Sequence, residues 1–140
     1  MALGNSGRHT EAAQWYLEAK ERYQVGSERS WAQATAFAFT MLMQEACAEV
    51  AKPEWWNDEG LKALSASVVR AAPDYVSANQ MRAIVLCGQH SAWEAGPRSA
   101  AELKKAATHF ERAAALHPAP AMKAAYAEEA VRCRNQAEAM

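Results

Sequence analysis

The stretch SAAELKKAATHFERAAALHP, from Ser99 to Pro118, decides the fold class of this chain. Ser99 followed three residues later by Glu102 is a capping box, in which each side chain hydrogen-bonds to the backbone N–H of the other residue. Apolar residues then recur at helical spacing and form one stripe. The stripe consists of Leu103, Ala106, Ala107, Phe110, Ala113 and Ala114. Pro118 cannot continue the hydrogen-bond ladder, so we predict an amphipathic helix that ends before it.

The composition extends this helical character to the whole chain of 140 residues. Hydrophobic residues make up 51% of it, and much of that share is alanine, whereas valine, isoleucine and threonine are scarce. Alanine is the best helix former, and β-branched residues favour sheets. No segment alternates apolar and polar residues with a period of two. We therefore predict an all-α fold in one domain, 1–140, since this length suits a single core.

The charges and apolar runs argue against several classes of function. With 15 basic and 16 acidic residues spread along the chain, no basic stripe for nucleic acid is present. The longest apolar run, 32–43, is too short for a membrane span, and the N-terminus has no signal-peptide layout. Cys47, Cys87 and Cys133 never form a C-x-x-C pair and are interpreted as reduced, buried thiols. We expect a cytoplasmic protein without nucleic-acid or membrane partners.

Periodicity and turn signals predict about six helices, of which the stretch above is the fifth. The first covers Thr10–Gln24. The second, Ser27–Ala51, is apolar on so much of its circumference that it should contact helices on two sides. Asn57 or Asp58 caps the third, which ends before Pro73.

The fourth predicted helix opens at Asp74-Tyr75 and ends near Gly88, and the loop Gln89–Arg98 follows it. Trp93 is expected to pin this loop onto the helices. The sixth helix runs to about Ala137, and the residues predicted to face inward from it are Ala121, Ala124, Ala125 and Val131.

Two of these helices carry the same order of small, aromatic and small residues. The matching positions are Ala106, Phe110, Ala113 and the terminating Pro118 in the fifth helix, and Gly7, Ala12, Tyr16 and Ala19 around the first. This order resembles the second helix of a tetratricopeptide repeat, in which small residues admit a neighbouring helix and the ring fills the space between them.

An internal offset of 45 residues also indicates repetition. It relates Pro73 to Pro118, Leu61 to Ala106 and Val68 to Ala113. The family's unit is ~34 residues, and units of ~40–47 are typical of HEAT-like pairs. The loop Gln89–Arg98 and the long second helix account for much of the excess over the tetratricopeptide unit. We therefore predict a divergent tetratricopeptide-like α-solenoid of antiparallel helix pairs, with a generic helical repeat as the alternative. The predicted division is a half-repeat at 8–25, pairs at 27–72 and 74–117, and a C-terminal capping helix at 119–138.

The resemblance implies that the first helices of the pairs line a concave groove that binds a protein or peptide. The residues expected to face this groove are Arg29, Ala32, Ala36, Phe39, Ser77, Gln80, Ile84, Met122, Ala125, Glu129 and Arg132. Family members that clamp a C-terminal carboxylate use lysine, asparagine and arginine at such positions. Because almost none of these residues is in place here, a carboxylate clamp is not expected.

Three tryptophans are further candidates for partner binding. Trp55 and Trp56 are adjacent and cannot both point inward from one helical face. Either both pack over helix ends or one of them anchors a partner. Trp15 falls about 100° from Tyr16 around the first helix, off its buried side. It is a candidate anchor for self-association or partner docking, the alternative being that it folds over the turn between the first two helices.

No constellation of residues points to catalysis, a metal or a cofactor. His9, His90, His109 and His117 lack a histidine or cysteine partner at metal-ligand spacing and are interpreted as surface or helix-end residues. Cys87 and His90 form the best nucleophile pair, but Gly88 should end the helix between them. We expect a protein-interaction module. The alternatives are a structural subunit or fragment of a larger assembly, docking through its open helical ends, and a small helical enzyme, for which no converging site is seen.

Overall fold

The computed structural model describes residues 28–44, 52–89 and 92–140. Within these ranges the chain forms five α-helices and no strand, which confirms the all-α prediction. The helices are α1 (Glu28–Leu42), α2 (Asp58–Ala71), α3 (Val76–Cys87), α4 (Ala100–Leu116) and α5 (Pro120–Glu138). The predicted helix Thr10–Gln24 and the half-repeat at 8–25 lie outside the described residues. None of the helices described is long and apolar enough to cross a membrane.

Two helices begin at side-chain caps that the sequence predicts. Ser99 Oγ accepts a hydrogen bond from the N–H of Glu102 at 3.1 Å, and Glu102 Oε1 accepts one from the N–H of Ser99 at 3.0 Å. At the start of α2, Asn57 Oδ1 accepts from the N–H of Gly60 at 2.8 Å. These bonds satisfy amides of the first turn that have no partner within the helix.

The end of α3 is fixed by Gly88, which adopts a left-handed conformation with φ of 66°. A Cβ atom at this position would stand 2.7 Å from Nε of Arg98. The site therefore requires glycine for its backbone angle and for the space around it.

Helix α1 is shorter than predicted. It ends at Leu42, and the amide of Gln44 bonds to the carbonyl of Met41 at 3.1 Å, three residues back instead of four. The prediction extended the helix to Ala51 because the first strong breaker in the sequence is Pro53. Helices also end without a breaker when the last turn tightens in this way.

Two buried clusters form the interior. The first cluster joins α1, α2, α3 and the loop after α3, and it contains Phe39, Leu61, Val68, Met81, Val85 and Trp93. The second cluster joins α3, α4 and α5, and it contains Ala106, Phe110, Ala113, Tyr126, Ala130 and Cys133. Each helix packs against its neighbours in sequence, and α1 also packs against α3.

Buried positions recur at the 45-residue offset. In α1, α3 and α5 these positions are Ala36, Met81 and Tyr126, which are 0%, 1% and 6% exposed. In α2 and α4 the pairs Leu61 with Ala106 and Val68 with Ala113 are fully buried. These positions are therefore buried in each of the helices that the offset relates.

The inward face of α5 differs from the prediction. Ala121, Ala124, Ala125 and Val131 are exposed, and the buried residues are Tyr126, Ala130, Cys133 and Ala137. Alanine occurs all around this helix, so its positions do not define which face is buried. The ring of Tyr126 defines it instead, since it stacks on Phe110 with a centroid separation of 6.4 Å.

Arg98 holds the connection between α3 and α4. Its side chain is 5% exposed and forms a forked ion pair with Asp58 at the start of α2, with Nη1 donating to Oδ2 at 3.0 Å. It also donates to the carbonyl oxygens of Val85 and Leu86, which would otherwise be unpaired at the end of α3. One guanidinium thus joins two helices and the loop.

The same carboxylate fixes Trp93. The indole Nε1 donates to Asp58 Oδ1 at 3.1 Å, and the N–H of Gly96 donates to Oδ2 at 3.3 Å. Trp93 is 7% exposed, which confirms that it pins the loop onto the helices. These bonds, above all the one from Arg98, hold the pKa of Asp58 well below its ordinary value of 3.8, against the opposing effect of burial.

Candidate functional site

Two adjoining recesses lie along the side of the molecule formed by α1, α3 and α5. The α1–α3 recess has a volume of about 330 Å³ and the α3–α5 recess about 380 Å³. Gln80 and Ile84 of α3 line both recesses and stand between them. We refer to the two recesses together as the groove.

The 45-residue offset relates residues of α1, α3 and α5 that line the groove. Phe39 of α1, Ile84 of α3 and Glu129 of α5 are separated by this interval, and all three line it. Gln44 and Gln89 are related in the same way, and each lines one recess. Several residues that line the groove therefore recur at intervals of 45 residues in the sequence.

The α3–α5 recess combines an apolar floor with a polar rim. Ile84, Phe110 and Tyr126 supply apolar surface, and burial raises the pKa of the Tyr126 phenol, which keeps its proton. On the rim, Arg132 Nη1 and Glu129 Oε1 form an ion pair at 2.9 Å. Such a surface can bury an apolar side chain and hydrogen-bond the polar backbone around it.

The α1–α3 recess is less polar. Phe39, Met43 and Met81 line it together with the shared Ile84. The hydroxyl of Thr40 donates to a carbonyl of its own helix at 2.9 Å and so adds little polarity to the recess. Methionine side chains adapt to differently shaped apolar partners.

The groove brings together six of the residues predicted to face it, one of which is Ala125. Gln80 and Ile84 line both recesses, Phe39 lines the α1–α3 recess, and Glu129 and Arg132 line the α3–α5 recess. Phe39 is only 1% exposed, so it lines the bottom of the recess and presents little surface to solvent.

Two further positions predicted to face the groove do not. Ala32 and Ala36 are fully buried in the first cluster, because α1 turns this side toward its neighbouring helices. Ala125 was predicted both to face the groove and to point inward from its helix. It is exposed and lines the α3–α5 recess, so the first prediction is confirmed and the second is wrong.

Other predicted site residues lie away from the lining. Arg29 is exposed and forms an ion pair with Asp74 at 2.7 Å. Ser77 is half-buried and Met122 is 37% exposed, and neither lines a recess. Trp15 lies outside the described residues.

Trp55 and Trp56 pack over the ends of α1 and α2. Both are half-buried and contact Leu42, and their ring centroids are 5.9 Å apart. Trp56 also lies against Phe39 and donates from Nε1 to the carbonyl of Ala92 at 2.9 Å. These contacts account for both rings within the fold, and neither ring lines the groove.

Sequence reasoning missed several residues of the groove. Those not predicted to line it are Thr40, Met43, Gln44, Met81, Cys87, Gln89, Phe110, Tyr126 and Glu128. The 45-residue offset leads from the predicted Ala36 to Met81 and Tyr126, which do line the groove. No comparable signal identifies Cys87 or Phe110, which enter the lining from a helix end and from α4.

His109 is not a surface or helix-end residue, because it stands within α4 against α3. The amide of Asn79 donates to the carbonyls of Pro73 and Tyr75, both at 3.0 Å, so its Oδ1 accepts from Nδ1 of His109 at 3.0 Å. Burial, followed by the charge of Arg112, lowers the pKa of His109 to about 4. The neutral ring is thus a structural link between the two helices.

The remaining histidines do not form a site in the described part of the chain. His117 ends α4, and its Nδ1 accepts from the N–H of Ala119 at 3.0 Å. His9 and His90 lie outside the described residues, so the predicted Cys87–His90 pair is not described. Within the described ranges, no three histidine, cysteine, aspartate or glutamate side chains are grouped so that they could hold a metal ion.

The geometry of the groove suits recognition of a polypeptide segment, with apolar contacts on its floor and hydrogen bonds at its rim. Comparisons of the chain with protein-family models, curated proteins and solved structures gave no match. The groove is therefore the principal basis for a functional hypothesis.

Proposed function

We propose that the chain is a protein-interaction module that binds a peptide segment of a partner protein in the groove and has no catalytic role. The observation that carries this proposal is the lining of the groove by Phe39, Ile84 and Glu129, one from each of α1, α3 and α5 at the same register. Repeated helices that present equivalent residues to one groove are the basis of recognition in helical-repeat proteins.

The same register supports a tetratricopeptide-like solenoid of antiparallel pairs. In this proposal α1 and α2 form the pair at 27–72, α3 and α4 form the pair at 74–117, and α5 is the capping helix at 119–138. The free thiols of Cys87 and Cys133 suit a reducing compartment, as in the cytoplasm.

The lining also indicates the chemistry of the peptide. Gln80 and Gln89 can each donate and accept hydrogen bonds. Glu129 and Arg132 pair with each other, and Glu128 adds one further acidic group to the lining of the α3–α5 recess. A segment with one or two apolar side chains between polar residues would satisfy this surface. A terminal carboxylate clamp is not part of the proposal, since neither recess is lined by a lysine or an asparagine of the described chain.

Selection from a displayed library of random short peptides tests the proposal. We expect the selected peptides to bind the double variant Gln80→Ala/Glu129→Ala at least tenfold more weakly, because two polar contacts of the rim are lost. The matched control is Gln33→Ala/Glu138→Ala, which makes the same two truncations outside the groove. Equal weakening by both pairs, or by neither, would place the peptide elsewhere.

The exposed side of α5 favours a second candidate, a structural subunit that docks through an open helical end. Val131 is 58% exposed and Met122 is 37% exposed on this helix. In this case the chain would associate with a second copy or with another subunit. Light scattering over a range of concentrations, with Val131→Glu as the variant, distinguishes the candidates. A wild-type chain that stays monomeric disproves self-association through α5.

A further inference from the structure

Another recess, apart from the groove, lies where α2, α3 and α4 meet, and we refer to it as the α2–α4 recess. Its volume is about 570 Å³, and none of the described residues lines both this recess and the groove. Arg82 of α3 lines it and falls on the other side of that helix from Gln80 and Ile84. Among the described residues, the charged side chains that line it are Glu59, Lys62, Arg82, Glu102 and Lys105.

Two of these charges are matched within the fold. Lys62 Nζ lies 2.8 Å from Glu102 Oε2, and Glu102 Oε1 accepts the hydrogen bond from the N–H of Ser99. Asp58, which lies 3.6 Å from Lys62 Nζ, is paired with Arg98. The charges of Lys62 and Glu102 therefore cancel, and neither oxygen of Glu102 is left for a cation of a ligand.

Arg82 and Lys105 are the remaining cations of the α2–α4 recess. Arg82 is half-buried, and its Nη1 donates to the carbonyl of Lys62 at 2.8 Å and to Ser65 Oγ at 3.1 Å. These two bonds fix the guanidinium against α2, while its Nε and Nη2 donate to none of the described residues. Lys105 is exposed on α4 and forms no ion pair with any residue that the structure describes.

Positive charge prevails on this side of α4. Burial, and then the charges of Arg112, Arg82 and Lys105, lower the pKa of His109, which lies one turn beyond Lys105. The opposing group is Glu59, which is exposed in the first turn of α2 and therefore screened by water and salt. The half-buried charge of Arg82 is screened less, so the recess favours an anion.

We propose that the α2–α4 recess binds the phosphate group of a phosphomonoester, with Arg82 and Lys105 as its ligands. The free N–H groups of the Arg82 guanidinium can donate to two phosphate oxygens, and the Lys105 ammonium adds a second positive charge. A phosphomonoester carries about −1.5 to −2 charges at neutral pH, which matches the two cations. A carboxylate carries one charge and would leave one cation uncompensated. The group can belong to a phosphorylated side chain of a protein or to a sugar phosphate.

Titration with sodium phosphate at constant ionic strength, followed by backbone amide chemical shifts, tests the proposal. We expect saturable changes at Lys62, Arg82 and Lys105, with a dissociation constant on the order of 1 mM. Acetate should bind more weakly because it carries one charge. Changes that do not saturate, or equal affinity for acetate, would overturn the proposal. Because the probe contains no peptide, the result is independent of binding in the groove.

Two neighbouring lysines provide a matched pair of variants. Lys105→Gln removes a proposed ligand and should weaken phosphate binding about fivefold. Lys104→Gln makes the same change of charge on an exposed residue that does not line the recess, so it should have little effect. Equal weakening by both variants would show an effect of net charge alone and would overturn the site.

The opposing carboxylate gives a variant with an effect of the other sign. Glu59→Gln removes the acidic group that faces the phosphate and should strengthen binding about twofold. Arg82 also holds α3 against α2, so the test depends on the exposed residues Glu59 and Lys105, whose substitution leaves the interior intact. Weaker phosphate binding in Glu59→Gln would contradict the proposed position of the anion.

Two phosphomonoesters distinguish the sources of the phosphate group. The probes are an N-acetylated phosphoserine amide and glucose 6-phosphate, each titrated in competition with inorganic phosphate. Tighter binding of the phosphoserine compound indicates a phosphorylated protein, and tighter binding of the sugar phosphate indicates a small metabolite. Failure of both compounds to displace inorganic phosphate would overturn the proposal, because the recess would then not admit an ester.

Discussion

The two buried clusters stabilise the helices around them in different ways. The first, around α1, α2 and the loop after α3, contains large rings and a partly buried ion pair. The ring centroid of Phe39 lies 5.6 Å from that of Trp56 and 6.2 Å from that of Trp93. The second, around α4 and α5, contains alanines and one stacked pair of rings, Phe110 and Tyr126. Large side chains fill wide spaces between helices, and alanines let helices approach closely.

The difference shows that helices related by the same sequence offset can be stabilised by different side chains. Fully buried positions at the 45-residue offset hold Leu61 in α2 and Ala106 in α4. The first cluster receives Trp93 from the loop that Arg98 and Asp58 hold in place. The second cluster contains no residue of that loop and depends on close contact between its helices. The two clusters should therefore respond differently to mutation and to pH.

The largest effect is expected in the second cluster. Phe110→Ala removes a ring that is 4% exposed and leaves a cavity between alanines that cannot fill it, at a cost of about 4 kcal/mol in the free energy of unfolding. The matched Phe39→Ala in the first cluster should cost less, about 3 kcal/mol, because Met43 and Met81 can adapt. Urea denaturation measures both. A smaller loss of unfolding free energy in Phe110→Ala than in Phe39→Ala would contradict the expected difference between the two clusters.

Loss of the ion pair should affect the first cluster next. Arg98→Ala leaves Asp58 without its charged partner and two carbonyls of α3 uncapped, so we expect a loss of about 3 kcal/mol in the free energy of unfolding. Thermal denaturation followed by tryptophan fluorescence reports on this cluster, since Trp93 and Trp56 lie in it. Arg98→Lys is the control, because lysine keeps the charge without the fork.

The same pair predicts a dependence on acid. Because the pKa of Asp58 is lower in the folded chain than its ordinary 3.8, the unfolded chain takes up a proton first as the pH falls. The stabilisation is therefore complete above about pH 4 and declines at lower pH. In Asp58→Asn this component of the pH dependence should be absent. An unchanged slope of stability against pH below pH 4 would contradict the role of Asp58.

A smaller pH effect should arise from His109, at a different pH. Its pKa is lowered from 6.5 to about 4 on folding, so the unfolded chain binds the proton first between these values and stability falls as the pH falls through them. The ring is only half-buried, so after screening by solvent we expect a loss on the order of 1 kcal/mol. His109→Gln, which stays neutral, should lose less between pH 7 and pH 5 in urea denaturation. Equal losses would show that His109 does not contribute.

The smallest effect concerns the caps. Ser99→Ala removes the acceptor for the N–H of Glu102 and should cost about 1 kcal/mol. Asn57→Ala is the matched change at the start of α2, where the cap also orders the residues around Trp55, and we expect it to cost slightly more. The difference between the melting midpoints of the two variants measures how much more the Asn57 cap stabilises the chain than the Ser99 cap. Stabilisation by either change would contradict the assignment of that cap.

Much of the fold could be predicted from the sequence because its signals are local. The capping box of Ser99, the stop at Gly88 and the apolar stripe of α4 each depend on residues a few positions apart. The buried face of α5 could not be predicted in this way, because alanines occur on all sides of that helix. The end of α1 could not be predicted either, because no helix-breaking residue follows Leu42 until Pro53. The pair of Asp58 and Arg98 joins residues 40 apart, and only packing brings them together.

The groove could be predicted in part for the same reason. Its positions on α1, α3 and α5 follow the offset, so Gln80, Ile84 and Glu129 were among the residues expected to line it. Contributions from the end of α3 and from α4, such as Cys87, depend on how closely the helices approach. The offset does not contain that information.

The most direct test of the account maps a library-selected peptide onto the chain by backbone amide chemical shifts. We predict that the largest changes fall on Gln80, Ile84 and Glu129 and decline away from the groove. The exposed side of α4, at Lys104 and Thr108, should show little change. Largest changes on that side of α4, with the groove unaffected, would contradict the proposal that the groove is the binding site.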